Sequence, residues 1–199
     1  MPRLFTALEI PRDAALSLSL LRGGLPGARW IDVENYHLTL RFFGDLEGHM
    51  ADELANALDR VRRPSFTMKL SGVGAFGQKK PRSIWAGVSA SPDLHALQGE
   101  IESICRRLRL PPDPRKFAPH VTLARLKNAN ALDVAAYLSA RGNFASVPFT
   151  AGRFVLMSSR TSIGGGPYIV EEAWPLMGGE KDRRSSLANN ASEASRIMW

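Results

Sequence analysis

The 199-residue chain is 44% hydrophobic and 23% charged, enough apolar content to bury a core and too much for a disordered polypeptide. Its single cysteine, Cys105, excludes an internal disulfide and a Cys-rich metal site, and no apolar run suits a membrane span or a secretory signal, so a cytoplasmic protein is expected. Twenty-six Lys and Arg against nineteen Asp and Glu give a formal net charge of +7, which favours phosphate-bearing partners without naming one.

Residues 3–10 read as a strand; 12–21 is ambiguous, because Leu and Ser alternate as in a strand while Leu16 and Leu20 also fit helical spacing, and is taken as a helix. A strand over 36–43 is followed by Met50, Leu54, Leu58 and Val61, whose spacing of three and four marks an amphipathic helix over 49–62. A strand is expected at 66–70, an exposed Gly-rich basic connection at 72–82 and another strand at 83–90. Ser91 as cap and Pro92 at the first helical position open a helix to Leu108. A Pro-rich turn at 111–114 then leads into a strand at 118–126, a helix at 131–141 and strands near 147–158 and 168–174. From 178 to 199 the chain turns polar and reads as a flexible tail, which leaves 1–177 as one domain.

An internal repeat lies across these elements. His37-Leu38-Thr39-Leu40 and His120-Val121-Thr122-Leu123 are 83 residues apart, and Phe66-Thr67 and Phe149-Thr150 each follow their histidine by 29. Repeats over about 3–76 and 82–159 imply an α+β fold of two lobes, each a mainly antiparallel sheet backed by helices, related by an approximate two-fold axis. Alternation along a strand puts His37 with Thr39 on one face, and His120 with Thr122 likewise, with the apolar residues between them packed behind. A lone His-x-Thr is more often an ordinary half-buried polar pair. Two in equivalent positions make a symmetric site in the cleft between the lobes, with two acid–base groups and two hydroxyls.

With its flanks, the pair resembles the 2H phosphoesterases, and among them the RNA 2′,3′-cyclic phosphodiesterases first described as 2′-5′ RNA ligases. The resemblance rests on Arg3-Leu4-Phe5, Tyr36-His37-Leu38-Thr39-Leu40-Arg41-Phe42-Phe43-Gly44, Gly72-Val73-Gly74-Ala75-Phe76, Trp85-Ala86-Gly87-Val88 and Pro119-His120-Val121-Thr122-Leu123-Ala124-Arg125. It implies hydrolysis of RNA 2′,3′-cyclic phosphate ends to 2′-phosphomonoesters, with His37 as proton donor, His120 as proton acceptor and Thr39 and Thr122 binding phosphate. It also implies that Phe42 and Arg125 sandwich the nucleobase, although strict alternation turns both away from the histidines, so a bulge or strand end must re-aim them. Ligation would be the reverse transesterification at the same site, with an RNA 5′-hydroxyl replacing water.

The chemistry agrees with these residue types. Opening a cyclic phosphate in line needs a base for water and an acid for the leaving sugar oxygen, and two imidazoles supply both, one neutral and one held protonated beside the phosphate. No metal or other cofactor is expected. Arg41 shares the parity of His37 and Thr39 and is a further candidate phosphate contact, against an ordinary exposed arginine. Lys79, Lys80 and Arg82 could guide an RNA backbone or form a solvated loop. Gly72-x-Gly74-x-x-Gly77 is not a dinucleotide fingerprint, because Pro81 and the basic run follow where a helix is required. Gly164-Gly165-Gly166-Pro167 reads as a hairpin loop, His49 and His95 as surface residues, and Cys105 as an inert core thiol. Competing readings are a non-catalytic RNA-binding module and a 2H enzyme acting on a small cyclic nucleotide or an ADP-ribose-type substrate. The expected form is a monomer acting on RNA or a cyclic nucleotide, away from membranes.

Overall fold

Five consecutive buried residues place the strand Arg3–Glu9 (β1) inside a sheet with both faces covered. In the computed structural model, which describes residues 3–77, 79–89, 91–159 and 168–177, β1 leads into helix Arg12–Ser19 (α1), where Ala14, Ala15 and Leu18 turn inward. A short strand Ala28–Trp30 (β2) and a 3-10 turn at Val33–Asn35 precede strand His37–Asp45 (β3) and helix Gly48–Leu58 (α2). Phe66–Met68 (β4), Leu70–Phe76 (β5) and Ser83–Val88 (β6) follow. Helix Pro92–Arg107 (α3) begins where its cap predicts, the Ser91 side chain accepting from the Leu94 N–H at 3.3 Å. The chain continues through His120–Leu126 (β7), Ala131–Arg141 (α4), Phe149–Ala151 (β8), Arg153–Ser159 (β9) and Tyr168–Pro175 (β10).

The main sheet has eight strands, all pairs antiparallel, in the order β10-β9-β1-β3-β7-β6-β5, with β2 against β7. Outward from the central β3 and β7, the flanking strands are β1 and β6, then β9 and β5. β5 and β9 are offset by 83 residues, as are α2 and α4 and the starts of β3 and β7. Leu38 pairs with Val121, and in the separate β4-β8 ladder Thr67 pairs with Thr150. Each of these pairs joins residues 83 apart, as an axis running between them requires.

One large core fills the layer between the sheet and its helices and contains Leu38, Leu40, Val121 and Leu123 together with the inward faces of all four helices. A smaller cluster of Phe5, Ala7, Val155 and Met157 lies apart from it, with Tyr168 and Ala173 against it. Residues 70–76, expected in part as an exposed connection, are strand β5. Gly74 sits opposite Trp85, whose indole occupies the space a side chain would need, so this glycine serves close packing, whereas Gly72 takes a positive φ of 73° where the register shifts. The strand expected at 66–70 is divided between two sheets, and α2 ends at Leu58, although Val61 is still buried. β2 and the 3-10 turn have no counterpart in the sequence reading, being too short to show a period. The expected tail at 178–199 and the loop at 164–167 lie outside the described residues. Among the described residues no helix is long and apolar enough to cross a membrane.

Candidate active site

β3 and β7 pair through Leu38 and Val121 alone. Extending this antiparallel register by one residue sets His37 across from Thr122 and Thr39 across from His120. All four are half-buried, while Leu38, Leu40, Val121 and Leu123 enter the core behind them. The sheet therefore presents two histidines and two threonines as one crossed quartet.

Both strands then break alternation at the same place. In β3 the register against β1 slips between Thr6↔Arg41 and Ala7↔Thr39, leaving Leu40 as an extra residue. In β7 the register against β6 slips between Ile84↔Ala124 and Trp85↔Thr122, leaving Leu123 as the extra one. Each bulge turns two consecutive residues inward, Leu40 with Arg41 and Leu123 with Ala124, and returns the next residue to the histidine face. Phe42 and Arg125 are exposed in consequence, Phe42 at 38%. Phe42 stacks on Phe5 at 6.2 Å between ring centroids, and Phe5 is 5.0 Å from the His37 ring.

The same bulge overturns the expectation for Arg41, which is only 5% exposed and points into the helical layer. Its Nε lies 2.8 Å from Glu102 on α3, its Nη1 is 3.7 Å from Asp113 and donates to the Phe42 carbonyl at 2.7 Å, and its Nη2 donates to the Pro111 carbonyl. Arg41 is a structural tie between β3, α3 and the segment leading to His120, not a phosphate contact. Parity failed because the inserted Leu40 reverses it.

The two histidines are held alike. His37 Nδ1 donates to the Asn35 carbonyl at 2.8 Å and His120 Nδ1 to the Ala118 carbonyl at 2.6 Å, each two residues upstream. A carbonyl can only accept, so Nδ1 carries the hydrogen in both rings and Nε2 is left for proton exchange. Burial pushes His37 down from 6.5 to about 4; its hydrogen bond to Asn35 opposes this, and the charges of Arg125 and His120 add to it. Burial also lowers His120, with Arg125 and Arg115 acting the same way against the hydrogen bond to Ala118. Burial thus favours the neutral form of both rings in the free site, and the expectation of one protonated ring concerns the site with phosphate bound. An anion between them must supply the counter-field.

Aromatic rings wall each imidazole. Tyr168 meets His37 edge-on at 4.8 Å, its backbone N–H donating to the Asn35 side chain at 3.3 Å. Phe76 meets His120 edge-on at 4.8 Å, with Trp85 at 6.3 Å. These three neighbours, with Phe5 on the His37 side, come from β1, β5, β6 and β10 and were not assigned to the site from sequence. Phe5, Phe76 and Trp85 do lie in the segments that carry the family resemblance. Among the described residues no three His, Cys, Asp or Glu side chains gather as a metal site would need.

A family model described as LigT like Phosphoesterase matches residues 8–85 and 87–168. An RNA 2′,3′-cyclic phosphodiesterase of Aeropyrum pernix is 36% identical over 125 residues, covering 62% of this chain and 70% of the relative. One from Aquifex aeolicus is 30% identical over 158 residues, covering 75% and 82%. Among solved structures, Escherichia coli LigT complexed with 3′-AMP superposes with a TM-score of 0.72 at 25% identity, over 89% of this chain and 99% of that one.

Proposed function

The chain belongs to the LigT-like phosphoesterase family, and from that membership we propose that it hydrolyses RNA-type 2′,3′-cyclic phosphates to 2′-phosphomonoesters. The observation that carries the reading is the crossed quartet, two imidazoles with Nδ1 tied to a carbonyl and Nε2 free, each across from the other strand's threonine. His120 Nε2 takes a proton from water as the water oxygen attacks phosphorus. His37 Nε2 gives a proton to O3′ as the P–O3′ bond breaks, leaving the phosphate on O2′. Thr39 and Thr122 donate to the non-bridging oxygens, where charge builds in the transition state. The donor and acceptor roles follow the family resemblance.

The protonated ring forms only when substrate arrives, because the phosphate charge offsets the burial and the Arg125 field that keep both imidazoles neutral. Two imidazoles, two hydroxyls and a guanidinium also make a poor nest for a divalent cation. Purified protein should therefore convert 2′,3′-cyclic mononucleotides to 2′-monophosphates in excess EDTA at an undiminished rate. Absence of turnover would remove the reading, 3′-monophosphate as product would reverse the assignment of the leaving oxygen, and activity restored by a divalent ion would replace the two-histidine mechanism.

Phe42 and Arg125 hold the base between them in this reading. Base stacking on an aromatic ring is worth about 1–3 kcal/mol. Phe42→Ala should raise KM for cyclic mononucleotides about tenfold and leave kcat within a few fold, since a contact made equally in ground and transition states affects binding alone. A large fall in Tm with unaltered KM would mean that Phe42 serves the Phe5 cluster and not the base.

A further inference from the structure

Acidic residues are missing from one part of the sheet. Segments 25–31, 81–89 and 119–131, which carry β2, β6 and β7, contain no Asp or Glu, whereas they bring Arg29, Arg82, Arg125 and Lys127 to one end of the sheet. The opposite flank, β1, β3, β9 and β10, carries both signs, Glu9, Asp45, Glu171 and Glu172 with Arg3, Arg41 and Arg153, and there Arg3 pairs with Asp45 and Arg153 with Glu9. Backbone hydrogen bonds tie the basic end together, Leu126 N–H to the Arg82 carbonyl at 2.8 Å and Lys127 N–H to the Gly27 carbonyl at 3.0 Å.

Within this wall Arg29 and Arg125 are direct cross-strand partners, with Ser83 on the far side of Arg125. Residues directly opposite in an antiparallel pair share a face, and like charges there repel. Trp30, next to Arg29, packs on Tyr137 in the helical layer at 5.9 Å between ring centroids, so alternation sends Arg29 to the histidine face. Both arginines are exposed, and the Arg125 charge reaches both imidazoles. With Arg125 assigned to the base, Arg29 is the exposed cation beside it on the same face, placed for a second phosphate.

We propose that the β2–β7–β6 wall is the track for an RNA strand leading into the site, with Arg29 contacting the first phosphodiester upstream of the cyclic end. The preferred substrate is then an oligoribonucleotide end and not a free cyclic nucleotide. This rests on the phosphodiesterase reading above and adds to it a subsite that a mononucleotide cannot fill.

The test compares kcat/KM on a 2′,3′-cyclic mononucleotide and on a trinucleotide ending in a 2′,3′-cyclic phosphate, for the wild type, Arg29→Gln and Arg29→Lys. The wild type should prefer the trinucleotide by about tenfold or more, and Arg29→Gln should lose most of that preference while changing the mononucleotide value by less than about twofold. Arg29→Lys, which keeps the charge, should restore most of it. The slope of log kcat/KM against log salt for the trinucleotide should fall by about 1 in Arg29→Gln, as expected for one lost phosphate contact. Equal losses on both substrates, or an unchanged trinucleotide preference, would overturn the track. Absence of turnover by the wild type on either substrate is the separate failure of the phosphodiesterase reading, and direct titration with a 3′-phosphorylated trinucleotide then still reports whether Arg29→Gln weakens binding.

Discussion

Replacing either His37 or His120 with alanine should lower kcat on a 2′,3′-cyclic nucleotide by at least about a hundredfold, because loss of one positioned general acid or base typically costs that much. KM should move little, since base and phosphate contacts remain. Each ring is half-buried, and its removal leaves the Asn35 or Ala118 carbonyl near solvent, so the variants should fold. Turnover within a few fold of wild type in either variant would refute the paired mechanism. The double variant should be little worse than the poorer single one, because two groups serving one transition state are not additive.

The pH dependence follows from the same burial. A reaction that needs one charged and one neutral imidazole gives a bell whose limbs belong to the pair. In free enzyme both pKa values are depressed, His37 to about 4, so the charged partner is lost below the ordinary 6.5 as pH rises and the kcat/KM bell should centre on the acid side of 6.5. In the complex the phosphate raises both, and the kcat bell should lie at higher pH. Arg125→Gln removes a cation that lowers both rings, so its kcat/KM bell should shift upward; a downward shift would contradict the electrostatics described above.

The site was legible in the sequence only as far as local rules reach. Period-two alternation and the 83-residue repeat sufficed to place His37, Thr39, His120 and Thr122 on one face, since each lies at the start of its strand before any irregularity. The bulges at Leu40 and Leu123 could not be read locally, because an inserted residue exists only relative to the partner strands β1 and β6. That is why parity favoured Arg41 and disfavoured Phe42 and Arg125, the reverse of what the structure shows. The aromatic walls around the histidines are assembled from strands far away in the chain, and the depressed pKa values arise from the burial those rings create. Both are tertiary properties. The antiparallel sheet backed by four helices was readable from element order, whereas β2, which carries Arg29, is three residues long and has no measurable period.

Arg41→Ala should be the most destabilising single change at the centre of the sheet. The guanidinium is 5% exposed, lies between Glu102 and Asp113 and donates to the carbonyls of Phe42 and Pro111, so its loss strands a half-buried carboxylate and two acceptors together. Breaking a buried ion pair from one side costs about 3–5 kcal/mol, which in a domain of this size lowers Tm by roughly 10 °C or more. Arg41→Met, which keeps the volume, should recover little, whereas adding Glu102→Gln should restore part of the loss by removing the uncompensated charge. Pro111 and Asp113 belong to the segment that delivers Ala118 and His120, so the surviving Arg41→Ala protein should also show reduced kcat as the His120 imidazole loses its register. KM for a cyclic mononucleotide should stay within a few fold, because the side chain faces the helices and cannot reach the substrate. A Tm within about 2 °C of wild type combined with a tenfold rise in KM would show the opposite, that Arg41 leaves the helical layer in solution and meets the phosphate as strand parity first suggested.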